Sequence, residues 1–238
     1  MQMKEVAAIV TGGASGLGAA TARHFVEQGA KVTVFDRDPA GAKTAAKIGA
    51  GFATVDVTDA DSVAAGLDRA GKINVVVNCA GIATAEKTLG RDGPHDQGIF
   101  DKTLAINLAG TFNVARQAAA RMTSGGVIIN TASVAAFDGQ KGQAAYAASK
   151  AGIAGLSLPM ARDLARNSIR VMAIAPGIFR TPMLEGLGEE VMAGLAKDVV
   201  FPARLGDPAE YAALARFIVE CDYLNGTTIR LDGALRMP

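Results

Sequence analysis

The sequence predicts an α/β fold, a three-layer α/β/α sandwich around a seven-stranded parallel sheet, and three observations support it. Short apolar runs of roughly five to eight residues alternate with longer Ala-rich segments of helical period along the whole chain. That alternation is what βα units require when helices bury both faces of their sheet. The 238 residues suit one large core, and no linker or fixed-period repeat divides them, so residues 1–238 are read as a single domain.

Val6-Ala-Ala-Ile-Val10 reads as the first strand, Thr11 to Gly18 as a glycine-rich turn, and Gly16 to about Gln28 as the first helix, which Gly29 ends at a C′ position. Glycines between a buried strand and a helix let backbone N–H groups approach a pyrophosphate at the helix N-terminus. Gly12, Ser15, Gly16, Leu17 and Gly18 are therefore candidate cofactor contacts. The spacing Gly-x-x-x-Gly-x-Gly differs from the common fingerprint, and a plain tight turn is the competing reading. Lys31 to Asp36 reads as the second strand. A carboxylate at its carboxyl end accepts ribose hydroxyls and repels a 2′-phosphate, which favours NAD over NADP. Arg37 next door either pairs with such a phosphate or faces solvent.

Gly51 to Val57 gives a third strand, and Thr58-Asp59-Ala60-Asp61 opens a helix with an N-cap and acids in its first turn. Asp56, beside Val57, either meets the adenine amino group or caps the segment after the strand. Ile73 to Val77 is a fourth, fully buried strand, and Asn78-Cys79-Ala80-Gly81 ends it with small residues where a cofactor or a neighbouring backbone comes close. Residues 82–97 have no clear period and are expected as a surface loop. His95 in that loop and His24 in the first helix are read as surface or packing residues. From about Ile99 to Met122 the pattern is helical except around Asn107-Leu-Ala-Gly110, which hints that Asn107 bends the chain or bonds a backbone group.

Gly126 to Asn130 is the fifth strand, and Ser133 follows at its carboxyl end, where open α/β sheets bind ligands. The next helix runs to about Asn167, with Pro159 expected to bend it. Ile169 to Ala175 makes a sixth strand that Pro176-Gly177 breaks. Residues 178–200, carrying Met183, Leu184, Leu187, Met192 and Leu195, read as an apolar lid over a substrate, or else as a packed helix pair or subunit contact. Asp207, Pro208 and Glu210 form a helix start with N-cap, N1 and N3 residues in place. Gly226 to Asp232 is the seventh strand, and the tail 234–238 is expected to be exposed unless a partner subunit covers it.

A charge of +1, from 24 basic against 23 acidic residues without like-charge runs, gives no hold for a nucleic-acid backbone or an anionic membrane. No apolar run approaches the roughly 20 residues of a membrane span. Cys79 and Cys221 are the only cysteines, and no metal-ligand spacing occurs, so neither a disulfide framework nor a metal site is expected. That cysteine usage fits a reducing cytoplasm, and a start that runs straight into a strand signal argues for no signal peptide.

The chemistry concentrates at Gln143-Ala-Ala-Tyr146-Ala-Ala-Ser-Lys150. Positions i and i+4 share a helix face. A fixed ammonium near a phenol favours the phenolate and brings a pKa of about 10 towards working range, so Tyr146 and Lys150 read as an acid/base device. An ordinary helix-face Tyr beside a solvated Lys is the alternative.

Thr11 to Gly18, Asn78 to Gly81, Asn107, Ser133, Tyr146-x-x-x-Lys150 and Pro176-Gly177 stand in the order and approximate spacing of the short-chain dehydrogenase/reductases, which the chain resembles over essentially its whole length. Residues 11–18, 127–137, 142–146, 204–211 and the ending Asn225-Gly-x-x-Ile-Arg-Leu-Asp-Gly-Ala-x-Arg-Met237 look like the type II 3-hydroxyacyl-CoA dehydrogenase subfamily. The resemblance implies a Rossmann-type sheet, an NAD cofactor, a homotetramer, and hydride exchange between NADH and a 3-oxoacyl-CoA to give the (S)-3-hydroxyacyl product. It also implies Tyr146 as proton donor, Ser133 as second donor to the carbonyl oxygen, Lys150 lowering the Tyr146 pKa and bonding the nicotinamide ribose, and Asn107 holding a water. Ile178 and Thr181 join Pro176 and Gly177 as cofactor contacts, and Gln143, Met183 and Leu184 are expected to shape the substrate pocket. Two alternatives stay open: a steroid, secondary alcohol or other small ketone as substrate, and a dinucleotide-binding scaffold without chemistry.

Overall fold

In a computed structural model of the chain, residues 1–123, 125–185 and 188–237 are described. Strands β1 (Ala7–Thr11), β2 (Lys31–Asp36), β3 (Gly51–Thr54), β4 (Val75–Asn78), β5 (Gly126–Thr131), β6 (Ile169–Pro176) and β7 (Thr228–Leu231) form one parallel sheet in the order β3-β2-β1-β4-β5-β6-β7. The chain reverses its direction of winding between β1 and β4, the position at which such sheets open a crevice at their carboxyl edge.

The helices are α1 (Gly16–Glu27), α2 (Gly41–Lys47), α3 (Ala60–Ala70), α4 (Gln97–Leu104), α5 (Gly110–Ala119), α6 (Ala144–Asp163), α7 (Pro182–Glu185), α8 (Glu189–Ala196) and α9 (Pro208–Glu220). Alternation along the strands sorts the core into two layers. Val10, Val34, Val77, Ile129 and Ile174 pack with Phe25 of α1 and Tyr211 and Ile218 of α9. Ile9, Phe35, Val76, Ile128 and Val171 pack on the other face with Leu67 of α3, Val114 of α5 and Met160 of α6. Each such side chain, removed from water, contributes about 1.5–3 kcal/mol, so both layers hold the strand ends rigidly in place.

Asp59 caps α3, accepting from the N–H groups of Asp61 and Ser62 at 2.9 and 3.2 Å, and Asp207 and Glu210 close a capping box on α9. Several expectations shift. β3 stops at Thr54, because Asp56 turns away to bond Thr58. The helix bearing Tyr146 ends at Asp163 and continues as a 3-10 turn to Asn167, with Pro159 inside it. The C-terminal tail is tied down: Leu235 is buried, and its carbonyl accepts from Arg230 Nη2 at 3.0 Å. Among the described residues no helix is long and apolar enough to cross a membrane.

Candidate active site

β1 runs into a turn that needs glycine at two points, Gly12 with φ +62° and Gly16 with φ +53°. A Cβ on Gly12 would stand 2.8 Å from both Cα and N of Ala80, so the turn meets the end of β4 backbone to backbone. A Cβ on Gly18 would strike the Gly12 carbonyl. The missing side chains leave a cradle at the start of α1, whose first N–H groups have no intrahelical acceptor. Ser15, the extended N-cap, is exposed and makes no side-chain cap bond. Leu17 packs inward against the core. Bare N–H groups, positive dipole and absent side chains fit a pyrophosphate.

Asp36 is fixed beside this cradle, its Oδ2 accepting from the Ala14 N–H and its Oδ1 from the Asp38 N–H, both at 3.0 Å. Arg37 is exposed. Asp56 Oδ1 accepts from the N–H and hydroxyl of Thr58 at 2.9 and 2.7 Å, which is the capping arrangement, and these bonds hold its carboxyl below the ordinary range. Val57 is buried, and its carbonyl accepts from Asn113 Nδ2 at 2.9 Å.

Asn78 lies inside the sheet. Its Nδ2 donates to Asn130 Oδ1 at 2.9 Å and its Oδ1 accepts from the Thr11 hydroxyl at 3.4 Å. It thereby ties β1, β4 and β5 together and carries Ala80 and Gly81 to the sheet edge. A Cβ on Gly81 would stand 3.1 Å from Asn107 Oδ1 and 3.7 Å from Lys150 Nζ. At the end of β6, Gly177 lies so close to Asp232 that a Cβ would be 2.9 Å from its Cα. The Ile178 carbonyl accepts from the Gly206 N–H at 2.9 Å, after buried Pro176. Thr181 then folds back over the glycine turn, its Cγ2 3.5 Å from where a Gly16 Cβ would be. Leu184 is partly buried in α7. The Met183 side chain and Leu187 lie outside the described residues.

Asn107 sits in a π-helical turn, Ala105–Ala109, between α4 and α5; such one-turn widenings recur at functional sites. The expected backbone bond is there in duplicate: Nδ2 donates to the Ile82 carbonyl at 2.9 Å and Oδ1 accepts from the Ile82 N–H at 2.8 Å. Nδ2 also donates to Ser149 Oγ at 3.0 Å.

One turn of α6 separates Tyr146 from Lys150. The buried Lys150 ammonium lies 5.8 Å from the Tyr146 ring centre and donates to the Thr131 carbonyl at 2.7 Å. Burial brings its pKa down to about 8. Burial also pushes the Tyr146 phenol above its ordinary value, opposed by the neighbouring Ser133 hydroxyl. Desolvation favours the neutral form of both groups, and the ammonium, which the sequence reading expects to lower the Tyr146 pKa, donates to a carbonyl. At neutral pH the phenol carries its proton. Ser133 Oγ also accepts from the Ala135 N–H at 3.1 Å. At the head of α6, Gln143 Oε1 accepts from the Gln140 N–H at 3.0 Å. Gln143 lines a cleft of about 490 Å³ with Lys87, Leu89, Lys141 and Ala147.

Sequence reasoning missed Thr131, whose hydroxyl and carbonyl both serve the site, and Tyr211 behind it. Thr131 stands two residues before Ser133 and carries no separate signal, while Tyr211 looks like one more core aromatic on α9.

A sequence model of the short chain dehydrogenase family matches residues 6–191. The 3-hydroxyacyl-CoA dehydrogenase type-2 of Homo sapiens is 52% identical over 252 residues, covering 99% of this chain and 97% of its own. The Drosophila melanogaster protein of the same name is 49% identical, covering 99% of each chain. The crystal structure of 3-hydroxyacyl-CoA dehydrogenase type-2 from Mycobacterium avium superposes with a TM-score of 0.93 at 42% identity, covering 97% of this chain and 96% of that one. Matched by the family model through the cradle, the sheet edge and α6, and by these relatives over nearly its whole length, the chain belongs to the short chain dehydrogenases and is an oxidoreductase that uses a nicotinamide dinucleotide.

Proposed function

We propose that this protein interconverts 3-oxoacyl-CoA and (S)-3-hydroxyacyl-CoA, with NAD as the dinucleotide. The observation that carries the reading is a phenol whose pKa desolvation raises, one helical turn from a buried ammonium, at the sheet edge beside a glycine cradle. Tyr146 donates a proton to the substrate carbonyl oxygen, and Ser133 holds that oxygen as a second donor. Fixed donors aimed at developing charge lower the barrier without reorganising during the reaction. The bound dinucleotide supplies the hydride. Gly12, Ser15, Gly16, Leu17 and Gly18 hold its pyrophosphate, and Asp36 takes the adenine ribose hydroxyls and disfavours a 2′-phosphate. Lys150, Ala80, Gly81, Ile178 and Thr181 surround the nicotinamide half.

The acyl-CoA assignment rests on the names of relatives at about half identity, and the cleft beside Gln143, with Lys87 and Lys141 on its walls, suits a large anionic thioester. The lid of this single domain, expected over 178–200, is represented among the described residues by 178–185 and 188–200, and it would bring Leu184 to the substrate. Exposed Phe112, Leu158, Phe217 and Tyr223 suit subunit contacts of a homotetramer, and two free thiols suit the cytoplasm. The test is NADH oxidation with acetoacetyl-CoA beside a panel of free ketones and steroids. The reading expects the highest kcat/KM for the thioester; a free ketone turned over much better displaces it.

A further inference from the structure

Thr131, the last residue of β5, is a junction. Its hydroxyl lies 2.6 Å from the Asn78 carbonyl and 2.7 Å from the Tyr211 hydroxyl, and its carbonyl takes the Lys150 ammonium at 2.7 Å. A hydroxyl has one proton to give. The Asn78 carbonyl can only accept, so the Thr131 proton goes there, and the Tyr211 phenol must donate to Thr131. The Cys79 thiol stands behind, 3.8 Å from the Tyr211 oxygen. Tyr211 itself is wholly buried on α9 in the core layer opposite α6, where a phenylalanine would pack equally well. A phenol without water tolerates that position only with a partner, and beside the long Cys79 contact its short hydrogen bond goes to the residue that anchors the lysine.

We propose that Tyr211 is a positioning residue for the Lys150 ammonium, acting through Thr131. This rests on the reading of Lys150 as part of the active site. The Tyr211 hydrogen bond fixes the Thr131 side chain, hence the end of β5, hence the direction in which the Thr131 carbonyl faces the ammonium. Networks of this kind in a low-dielectric interior transmit the loss of one member to the next. The titratable groups around Lys150 are the Tyr146 phenol and the Cys79 thiol, with Tyr211 behind Thr131.

The test measures kcat, KM and the pH profile of acetoacetyl-CoA reduction, with NADH binding by fluorescence, for Tyr211→Phe, Thr131→Ser, Thr131→Val and Tyr146→Phe. One lost buried hydrogen bond predicts that Tyr211→Phe lowers kcat by about tenfold and leaves KM and the NADH Kd within about twofold. Its alkaline limb moves to lower pH by about half a unit, since a less well held ammonium loses its proton more easily. Thr131→Ser retains most activity, Thr131→Val does not, and Tyr211→Phe costs nothing further in the Thr131→Val background. A Tyr211→Phe enzyme whose kcat and pH profile superimpose on the wild type overturns the proposal, even if that enzyme is less stable. If Tyr211→Phe does not fold, Thr131→Val with wild-type kinetics overturns it. An active Tyr146→Phe sinks the active-site reading and this proposal together; an inactive Tyr146→Phe beside an unaltered Tyr211→Phe sinks this proposal alone.

Discussion

Lys150 and Tyr146 share a face of α6, with the ammonium 5.8 Å from the ring centre, yet the hydrogen bond of Lys150 goes to the Thr131 carbonyl. The ammonium is therefore held in place by backbone while the phenol keeps its proton. Acid catalysis in the reductive direction needs that division of protonation states.

The pH dependence stems from it. With the phenol protonated past its ordinary range and the Lys150 pKa near 8, reduction is expected to hold steady from weakly acid pH and to fall as pH rises through about 8. The same group makes stability depend on pH. Between about 8 and the ordinary lysine value of 10.5 the unfolded chain holds the lysine proton and the folded chain does not, so the stability contribution of Lys150 rises with pH across that window. Urea titrations are expected to show the difference between wild type and Lys150→Met moving in favour of wild type as pH rises across that window. A difference independent of pH contradicts the buried, depressed lysine.

In the proposed reading, Asp36 sets cofactor choice. Wild-type kcat/KM is expected to favour NADH over NADPH by at least about a hundredfold, and Asp36→Ser to narrow that ratio by about tenfold or more, because a carboxylate no longer faces the 2′-phosphate. Since Asp36 also accepts from Ala14 and Asp38, the variant should raise the KM for NADH too. An unchanged ratio removes Asp36 from the adenosine site.

Asn107→Ala leaves the N–H and carbonyl of Ile82 without the side-chain partners they have now. Both Ile82 groups are partly buried, so each orphan costs towards the lower part of about 1–3 kcal/mol. A loss of about 2–4 kcal/mol in urea denaturation is expected, with a fall in kcat, because Ile82 follows Gly81, which faces Lys150. Stability within about 0.5 kcal/mol of wild type, the size of an ordinary surface change, contradicts it.

Gly12→Ala places a methyl 2.8 Å from the Ala80 backbone at a φ of +62°. The cradle has to open to admit it, so NADH affinity is expected to fall by at least about a hundredfold, with a cost to stability from the strained backbone. An unaltered change in the fluorescence of NADH itself on binding shows the pyrophosphate to bind elsewhere.

The sheet is legible in the sequence because strands buried on both faces read as unbroken apolar runs, and the bounds of β2 are legible to the residue. Strand ends are less so: β3 and Asp56 separate because a side-chain bond to Thr58 outweighs the apolar run. The glycine turn and the Tyr146, Lys150 pair are visible because each depends on local spacing. What local spacing cannot carry is direction. That Lys150 bonds Thr131, that burial raises the Tyr146 pKa, and that Tyr211 reaches Thr131 from α9 all arise from elements far apart in the chain that the sheet brings together.

The most direct test is Tyr146→Phe, assayed for NADH binding and for NADH consumption with acetoacetyl-CoA. Removing one hydroxyl from a group that acts as general acid predicts an NADH Kd within about twofold of wild type and turnover lower by roughly a thousandfold, inside the range general acids supply. Turnover within about tenfold of wild type, with cofactor still bound, would show that the proton comes from elsewhere.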